Sequence, residues 1–387
     1  MEPEIEPTLP EAPPTEAATE LSLSPDVLAG TVEAPETRGL GWVFSGDEGL
    51  RAGWSVLIFA ALLALFSSVV GFAFLAMHLV DQKGHLTASA TLFGELIPFL
   101  AMLGAAALVA LIERRKNLLA FNLTGPRRGA HLLSGLAAGF LGLSVLVGAL
   151  CAGGWLHFGA IALTGADVAK YAALWGCAFL LVGCVEEGLF RCYLQFTLTR
   201  GINFWWALGI EALICVDLVL RARGNGVWGV YAVALLGLVP CLMLQLNKTK
   251  GAGFWQAAWV TSTIFGFIHT GNNGENWIGI FAAAAIGFVF CVSIWVTGSA
   301  WWAIGCHAAW DWAETYFYGT ADSGMPAQGH YLSTSPDPAR SAFWTGGADG
   351  PEGSLLVLGV ILLLLVALLV IYGRRSALVT EAEQLTA

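Results

Sequence analysis

The chain has 387 residues, of which 57% are hydrophobic and only 12% charged, and its mean hydropathy is +0.70. Soluble domains average about 25% charged residues, so the composition excludes an ordinary soluble protein and predicts an all-α, polytopic membrane helical bundle. The formal net charge of −10 belongs to residues 1–50, because acidic and basic residues balance in the rest of the chain. No nucleic-acid partner is expected.

The first 50 residues are rich in proline and glutamate and poor in aromatic residues. Such a segment buries too little apolar surface to offset the entropy lost on ordering, so we expect residues 1–50 to be a disordered acidic arm. The segment has no basic region, and the first apolar run begins near Trp54. We therefore do not expect a signal peptide.

A membrane-spanning helix needs about 20 mostly apolar residues. The apolar runs predict about ten spans, at residues 54–80, 91–112, 132–156, 171–196, 204–220, 227–246, 254–268, 277–296, 301–318 and 355–372. The predicted organisation is therefore a set of N-terminal transmembrane helices (51–165), a central membrane domain (171–318), a polar loop (319–353), and a C-terminal transmembrane helix with its tail (354–387).

Most of the basic residues follow alternate spans. Basic clusters or single arginines follow the second, fourth, sixth and tenth spans, as "ERRK" with "PRR", Arg200, "NKTK" and "GRR". The positive-inside rule assigns that side to the cytoplasm. We therefore expect a multi-pass protein of the cell membrane, with both termini cytoplasmic and the polar loop outside.

The stretch "CVEEGLFR" places three charges inside the fourth span. Charged groups at membrane depth are costly and usually face a bundle interior or a water-filled cavity, so each one suggests a function. Glu187 and Arg191 are four residues apart and can form an ion pair on one helix face, which could be purely structural. Glu186 points about 100° away from Glu187 around the helix, so it is the acid that does not take part in this ion pair.

Two further polar motifs lie on apolar helices. "TSTIFGFIHTGNNGEN" ends the seventh span with Phe265 and His269 one turn apart. "WWAIGCHAAWDWAE" places His307, Asp311 and Glu314 on one face of the ninth span. Taken alone, each motif is compatible with an ordinary interface histidine or with the wall of an aqueous vestibule.

Together, the three motifs provide the groups that hydrolysis requires. A glutamate in a low-dielectric site can act as general base, one histidine can help to activate water, and a second can stabilise an oxyanion. Two histidines and one glutamate are also an accepted set of ligands for catalytic zinc, which here would be Glu186, His269 and His307. The sequence does not require zinc, and it does not decide between the two chemistries.

The three motifs, in this order and each on an apolar helix, resemble the CAAX-protease and bacteriocin-processing family of intramembrane proteases, also called CPBP or Abi. "EEGLFR" matches EExxxR, "FGFIH" matches FxxxH, and "HAAWD" matches HxxxN/D. The resemblance covers residues 171–318 and implies a catalytic membrane domain there. The family has been described both as metalloproteases and as glutamate-dependent proteases that need no metal.

The resemblance implies a role for each matched residue. Glu186 and His269 would activate the attacking water, and His307 with Asp311 would stabilise the oxyanion. Glu187, Arg191 and Phe265 would support them. An ionised aspartate cannot donate a hydrogen bond to an oxyanion, so Asp311 is either protonated or acts through His307.

The chain departs from the family pattern in the distance between two motifs. The gap between Glu186 and His269 is lengthened by an insert near 207–250, which predicts two extra spans and carries the intramembrane acids Glu211 and Asp217. If the fourth and seventh spans are antiparallel, Glu186 and His269 meet only near the middle of the membrane. We therefore expect a long or kinked fourth helix, with Glu186 near its middle.

The leading hypothesis is an intramembrane endopeptidase that acts on membrane-associated proteins or peptides within the lipid bilayer. A proton-coupled transporter is the second hypothesis, in which the buried acids would form a relay; these are Glu95, Glu186, Glu211, Asp217 and Asp311. The third is a non-catalytic membrane scaffold of the same family. Convergence of the polar side chains on an accessible cavity would distinguish an enzyme from a scaffold.

Overall fold

The computed structural model describes residues 41–46, 49–77, 88–115, 117–221, 227–249, 251–272, 274–324 and 328–373. The chain divides into two compact units, Met1–Phe44 and Ser45–Ala387. In the first unit, one helical turn is described, Gly41–Phe44. The predicted disorder of the acidic arm falls mostly outside the described residues and stays a prediction.

Helices occupy all ten predicted positions. In chain order they are α1 (Ala52–Ala76), α2 (Ala88–Ile112), α3 (Arg128–Ala152), α4 (Ala166–Thr199), α5 (Phe204–Arg221), α6 (Val227–Val233, continued by Ala234–Leu238 and Val239–Leu246), α7 (Ala252–Ile268), α8 (Trp277–Thr297), α9 (Trp301–Trp312, continued by Ala313–Tyr318) and α10 (Leu356–Gly373).

Six helices of the described chain are long and apolar enough to cross a membrane: α1, α2, α3, α4, α8 and α10. Large apolar side chains stay exposed on their outer faces, such as Phe72, Leu133 and Leu363. An exposed apolar face of this extent is expected where lipid replaces water. The prediction of an all-α, multi-pass membrane bundle is confirmed, whereas ten complete crossings stay a prediction.

The polar loop between α9 and α10 folds back on the bundle. Its strand β2 (Leu332–Pro336) pairs antiparallel with β1 (Leu156–Ile161), which follows α3, and Phe158 lies opposite Thr334. Short helical turns at Ala342–Thr345 and Pro351–Gly353 complete the loop. A second small pair, Ser45–Gly46 with Gly49–Leu50, precedes α1. The pairing of β2 with β1 therefore attaches the middle of the loop to the bundle, in addition to the attachment at its two ends.

Glycines bring α3 and α9 into close backbone contact. A Cβ on Gly135 would collide with the carbonyl oxygen of Trp302, and one on Gly139 would collide with that of Cys306. On the facing helix, Gly305 packs in the same way against Leu132. Small residues at such contacts let membrane helices approach closely where the hydrophobic effect provides no drive. This packing fixes the helix that carries His307.

Helix α4 is the longest of the described chain, with 34 residues. Its Gly188–Leu194 stretch is π-helical and directly follows Glu187, so the EExxxR motif coincides with a widened turn. Such widened turns occur often at functional sites. The expected long fourth helix, with Glu186 near its middle, is confirmed.

Replacement of Gly139 by alanine tests the α3–α9 contact. The added methyl group must push the backbone of α9 away, so we expect Gly139→Ala to lower the free energy of unfolding by about 1–3 kcal/mol. Thermal unfolding in detergent measures the change. Gly148→Ala on the same helix is the matched control, because no atom lies within 4 Å of its added Cβ. Equal stability of the two variants would contradict the packing described.

Candidate active site

The carboxylate of Glu187 connects two cationic side chains inside the bundle. Its Oε2 lies 3.2 Å from Nε of Arg191, and its Oε1 lies 2.8 Å from Nδ1 of His307. The side chains of Glu187 and Arg191 are both fully buried. Glu187 therefore joins α4 to α9, in addition to forming the ion pair that the sequence predicts.

Aromatic rings enclose the guanidinium of Arg191. The guanidinium carbon lies 4.3 Å from the ring centroid of Phe265 and 5.5 Å from that of Phe290, and both contacts have the geometry of cation–π interactions. On the remaining side, Nη2 fills the space where a Cβ of Gly287 would be. The phenylalanine of the FxxxH motif thus supports the arginine of the EExxxR motif.

The orientation of His269 follows from its backbone contact. Its Nδ1 lies 2.7 Å from the carbonyl oxygen of Phe265, one turn earlier on α7. A carbonyl oxygen can only accept a hydrogen bond, so Nδ1 carries the proton and Nε2 of the neutral ring is free to accept one. The ring packs against that of Phe265, with centroids 4.8 Å apart.

The second nitrogen of His307 faces two further carboxylates. Nε2 lies 3.5 Å from Oδ2 of Asp311 and 3.9 Å from Oε2 of Glu186. The imidazole stacks on the ring of Phe290, with centroids 5.9 Å apart. Three carboxylates around one imidazole favour its protonated form. His307 is then a donor at both nitrogens.

The predicted catalytic residues share one cavity of about 320 Å³, which is lined by Glu186, His269, His307 and Asp311 together with Phe265. The side chain of Glu186 is 34% exposed, whereas that of its neighbour Glu187 is fully buried. Glu186 is therefore the motif carboxylate that a molecule in the cavity can reach. Within the described chain, no direct ion pair joins Glu186 to His269, although the two side chains face the same space.

The cavity also contains acids that the motifs did not indicate as site residues: Glu95, Glu275, Asp322 and Glu352. Glu95 interrupts the apolar run of α2, and a charge within an apolar run is the feature of the sequence that could have indicated Glu95 as a site residue. Glu275, Asp322 and Glu352 lie on loops, where no helical spacing relates them to the motifs. The wall of the cavity is thus more acidic than the three motifs predict.

Two loop carboxyl groups meet beside Gly279, where an added Cβ would collide with oxygens of both Glu275 and Asp349. Burial raises the pKa of Glu275 to about 7. Burial, together with the nearby charge of Glu275, raises the pKa of Asp349 to about 8. At neutral pH, the pair therefore tends to keep a proton that two exposed carboxylates would lose.

Zinc held by Glu186, His269 and His307 does not fit this arrangement. Among the described residues, one group of three places its ligand atoms within 4.8 Å of one another, and that group is Glu314, Asp322 and Glu352. The nitrogens of His307 instead face carboxylates of α4 and α9. The chemistry considered below therefore uses side-chain acids and bases.

One segment of the chain is similar to a known family. Residues 240–313 match the family model described as "Rce1-like: Type II CAAX prenyl endopeptidase Rce1-like". The matched segment includes the FxxxH and HxxxD motifs and ends before the polar loop. Neither the curated proteins nor the solved structures gave a match. The family match confirms the resemblance for the second and third motifs, whereas the EExxxR motif lies outside the matched residues.

Removal of Arg191 tests the buried ion pair. Arg191→Met leaves the carboxylate of Glu187 without its cation, so we expect the free energy of unfolding to fall by about 3–5 kcal/mol. Adding Glu187→Gln removes the unpaired charge and should restore most of that loss in a denaturation experiment. The control is Arg340→Met, because Arg340 is 57% exposed and forms a surface pair. Equal stability of the single and double variants would show that the pair is unimportant.

The acid pair beside Gly279 predicts a pH dependence of stability. Because the pKa values of Glu275 and Asp349 are raised in the folded chain, their stabilising contribution is lost as pH rises through those values. Because the ordinary pKa values of these groups lie near 4, we expect the thermal midpoint in chelated buffer to fall between about pH 4 and pH 8, and to fall less in Asp349→Asn. Asp167→Asn, at an exposed position of α4, is the control. An identical pH profile for Asp349→Asn and wild type would contradict the assignment.

Proposed function

We propose that this chain of the CAAX-protease family is an intramembrane endopeptidase, which hydrolyses peptide bonds of membrane-associated proteins or peptides. One observation carries the proposal. Of the two adjacent motif glutamates, Glu187 is buried and paired, whereas Glu186 is open to a cavity that also contains His269 and His307. An accessible carboxylate beside two imidazoles is what general-base hydrolysis requires.

Glu186 acts as the general base in this proposal. A water molecule in the cavity transfers a proton to the carboxylate while its oxygen attacks the carbonyl carbon of the scissile bond. The same proton is then delivered to the amine that leaves when the tetrahedral intermediate collapses. The partial exposure of Glu186 supports the role, because a water molecule can reach its carboxylate without displacing Arg191.

His269 positions the attacking water. Its Nδ1 proton is donated to the Phe265 carbonyl oxygen, which presents Nε2 as an acceptor. A water molecule that donates one hydrogen to Nε2 and the other to Glu186 is held with its lone pair free for attack. Glu186 and His269 both line the cavity in which such a molecule would lie.

His307 stabilises the oxyanion with Nε2–H as the donor. Its Nδ1–H is donated to Glu187, and the nearby carboxylates favour the imidazolium that can donate at both nitrogens. Asp311, 3.5 Å from Nε2, acts through His307 rather than by contacting the oxyanion. Glu187, Arg191 and Phe265 are positioning residues, because their contacts fix the His307 ring and neutralise the buried charge.

The setting suits a substrate that enters from the lipid phase. Apolar side chains make up much of the cavity wall, including Phe179, Ile268, Ile286 and Val357. An apolar peptide segment fits such a wall better than a charged one does. The CAAX name implies prenylated C-terminal substrates in eukaryotes, and the chain shows no feature that selects a prenyl group. A cell-membrane location with both termini cytoplasmic is part of the proposal.

The placement of the acids favours an enzyme over a proton-coupled transporter. A relay would need Glu211 and Asp217 to continue the path formed by the other acids. Glu95, Glu186 and Asp311 line the cavity, but Glu211 and Asp217 are not part of its wall. The carboxylate of Glu211 instead packs against Gly237 of α6. The relay is therefore interrupted within the described chain.

The test is proteolysis by the purified full-length protein in liposomes, with a library of membrane proteins as substrates. We expect Glu186→Gln to lower kcat by about 10²–10⁴-fold, because the general base is lost. His307→Gln should lower it by about 10²–10³-fold, because one oxyanion donor is lost. His269→Ala should also lose activity, since the water is no longer held.

Glu211→Gln is the matched control, because it removes a fully buried glutamate that lies outside the cavity. It should cleave at close to the wild-type rate. Cleavage by Glu186→Gln and His269→Ala at the wild-type rate would reject the site. A wild-type protein that folds but cleaves nothing in the library would favour the hypothesis of a non-catalytic membrane scaffold.

A further inference from the structure

A second set of acids, one buried and two partly buried, lies where the polar loop meets α9. One carboxylate oxygen from each of Glu314, Asp322 and Glu352 lies within 4.8 Å of the other two. Glu314 belongs to the last part of α9, whereas Asp322 and Glu352 belong to the polar loop. We name these three residues the loop carboxylate cluster. The catalytic chemistry proposed above uses none of them.

Glu314 is the unusual member of the loop carboxylate cluster. It is fully buried, and neither of its carboxylate oxygens has a hydrogen-bond partner among the described residues. The other two members accept hydrogen bonds from neighbouring side chains: Thr315 donates to Asp322 over 2.8 Å, and Trp310 donates to Glu352 over 2.6 Å. A buried carboxylate without any donor is costly unless a ligand satisfies it.

Within the described part of the chain, no cationic side chain forms an ion pair with the cluster, although the charge of His307 acts on Asp322 and Glu352 from a greater distance. The ion pairs found there involve other acids, such as Glu113, Glu187 and Asp337. Three carboxylates cannot all remain ionised at this distance without a counter-charge. His307 already faces Glu186, Glu187 and Asp311, so the rest of the compensating positive charge must come from protons or from a bound cation.

We propose that Glu314, Asp322 and Glu352 bind one hard divalent cation, Ca²⁺ or Mg²⁺. All the ligand atoms of the cluster are carboxylate oxygens, which such cations prefer, and neither sulfur nor imidazole nitrogen is offered. A divalent cation would satisfy the oxygens of Glu314 and would offset two of the three negative charges. The backbone of Gly350 packs close beside the cluster, because a Cβ there would collide with the carbonyl oxygen of Ala321 and lie 3.4 Å from Oε1 of Glu314.

The cation would act as a clamp on the polar loop. It joins the end of α9 to two points of the loop that are 30 residues apart in sequence, Asp322 and Glu352. Both of these residues also line the catalytic cavity. Removal of the cation would therefore loosen one wall of the cavity without touching Glu186, His269 or His307. A chelator that removes this cation would then lower proteolysis even if no metal takes part in catalysis.

The test is direct binding by the full-length protein in detergent, after chelator treatment and desalting. CaCl₂ and MgCl₂ are titrated separately, with isothermal titration calorimetry and thermal unfolding as readouts. We expect one saturable site for at least one of the two cations, and a rise in the unfolding midpoint on binding. Glu314→Gln should weaken the binding by at least about 10-fold, because one ligand loses its charge.

Two controls separate the cation site from the catalytic site. Glu211→Gln removes a different fully buried glutamate and should bind the cation as the wild type does. Glu186→Gln should also keep the binding, so the cation site can stand even if the proposed protease activity fails. If Glu314→Gln does not fold, Asp322→Asn takes its place. Folded wild type that binds neither cation would overturn the proposal, and so would cluster variants that bind as tightly as the wild type.

Discussion

The ion pair between Arg191 and Glu187 is the interaction on which the rest of the site depends. An arginine at membrane depth is tolerated only when its charge is met, and here the counter-charge comes from the same helix one turn away. Phe265 and Phe290 enclose the guanidinium, and Gly287 leaves space for it. Because Arg191 occupies one oxygen of Glu187, the other oxygen is free to hold His307. The adjacent Glu186 is thereby left outside this pair and stays open to the cavity, with its Oε2 3.9 Å from Nε2 of His307.

Much of this arrangement could be predicted from the sequence, because it follows local rules. Apolar runs located all ten helices, and the EExxxR spacing predicted the Glu187–Arg191 pair. The length of α4 could also be predicted. If α4 and α7 are antiparallel, Glu186 and His269 can meet only near the middle of the membrane, and this requires a long α4 with Glu186 near its middle. The contact between Glu187 and His307 could not be predicted, because it joins residues 120 positions apart and no local spacing encodes it. The presence of the loop acids in the cavity could not be predicted for the same reason.

The buried acids serve different purposes according to what surrounds them. Glu187 is neutralised by Arg191 and contacts His307, whereas the side chain of Glu186 is open to the cavity. Glu275 and Asp349 share the space beside Gly279 and favour a proton. Glu314 has no donor in the described chain, which is the observation that suggests a cation there. In the proposals made here, the surroundings of each acid rather than its residue type assign it as base, supporting residue or cation ligand.

The most direct test of the central claim is chemical rescue of proteolysis by formate. In Glu186→Ala, the lost carboxylate leaves a space that is open to the cavity, and formate can occupy it as a substitute base. The account predicts that the cleavage rate of Glu186→Ala rises with formate concentration, while that of Glu187→Ala does not, because its position is sealed from the cavity. Rescue of Glu187→Ala but not of Glu186→Ala would contradict the assignment of the base.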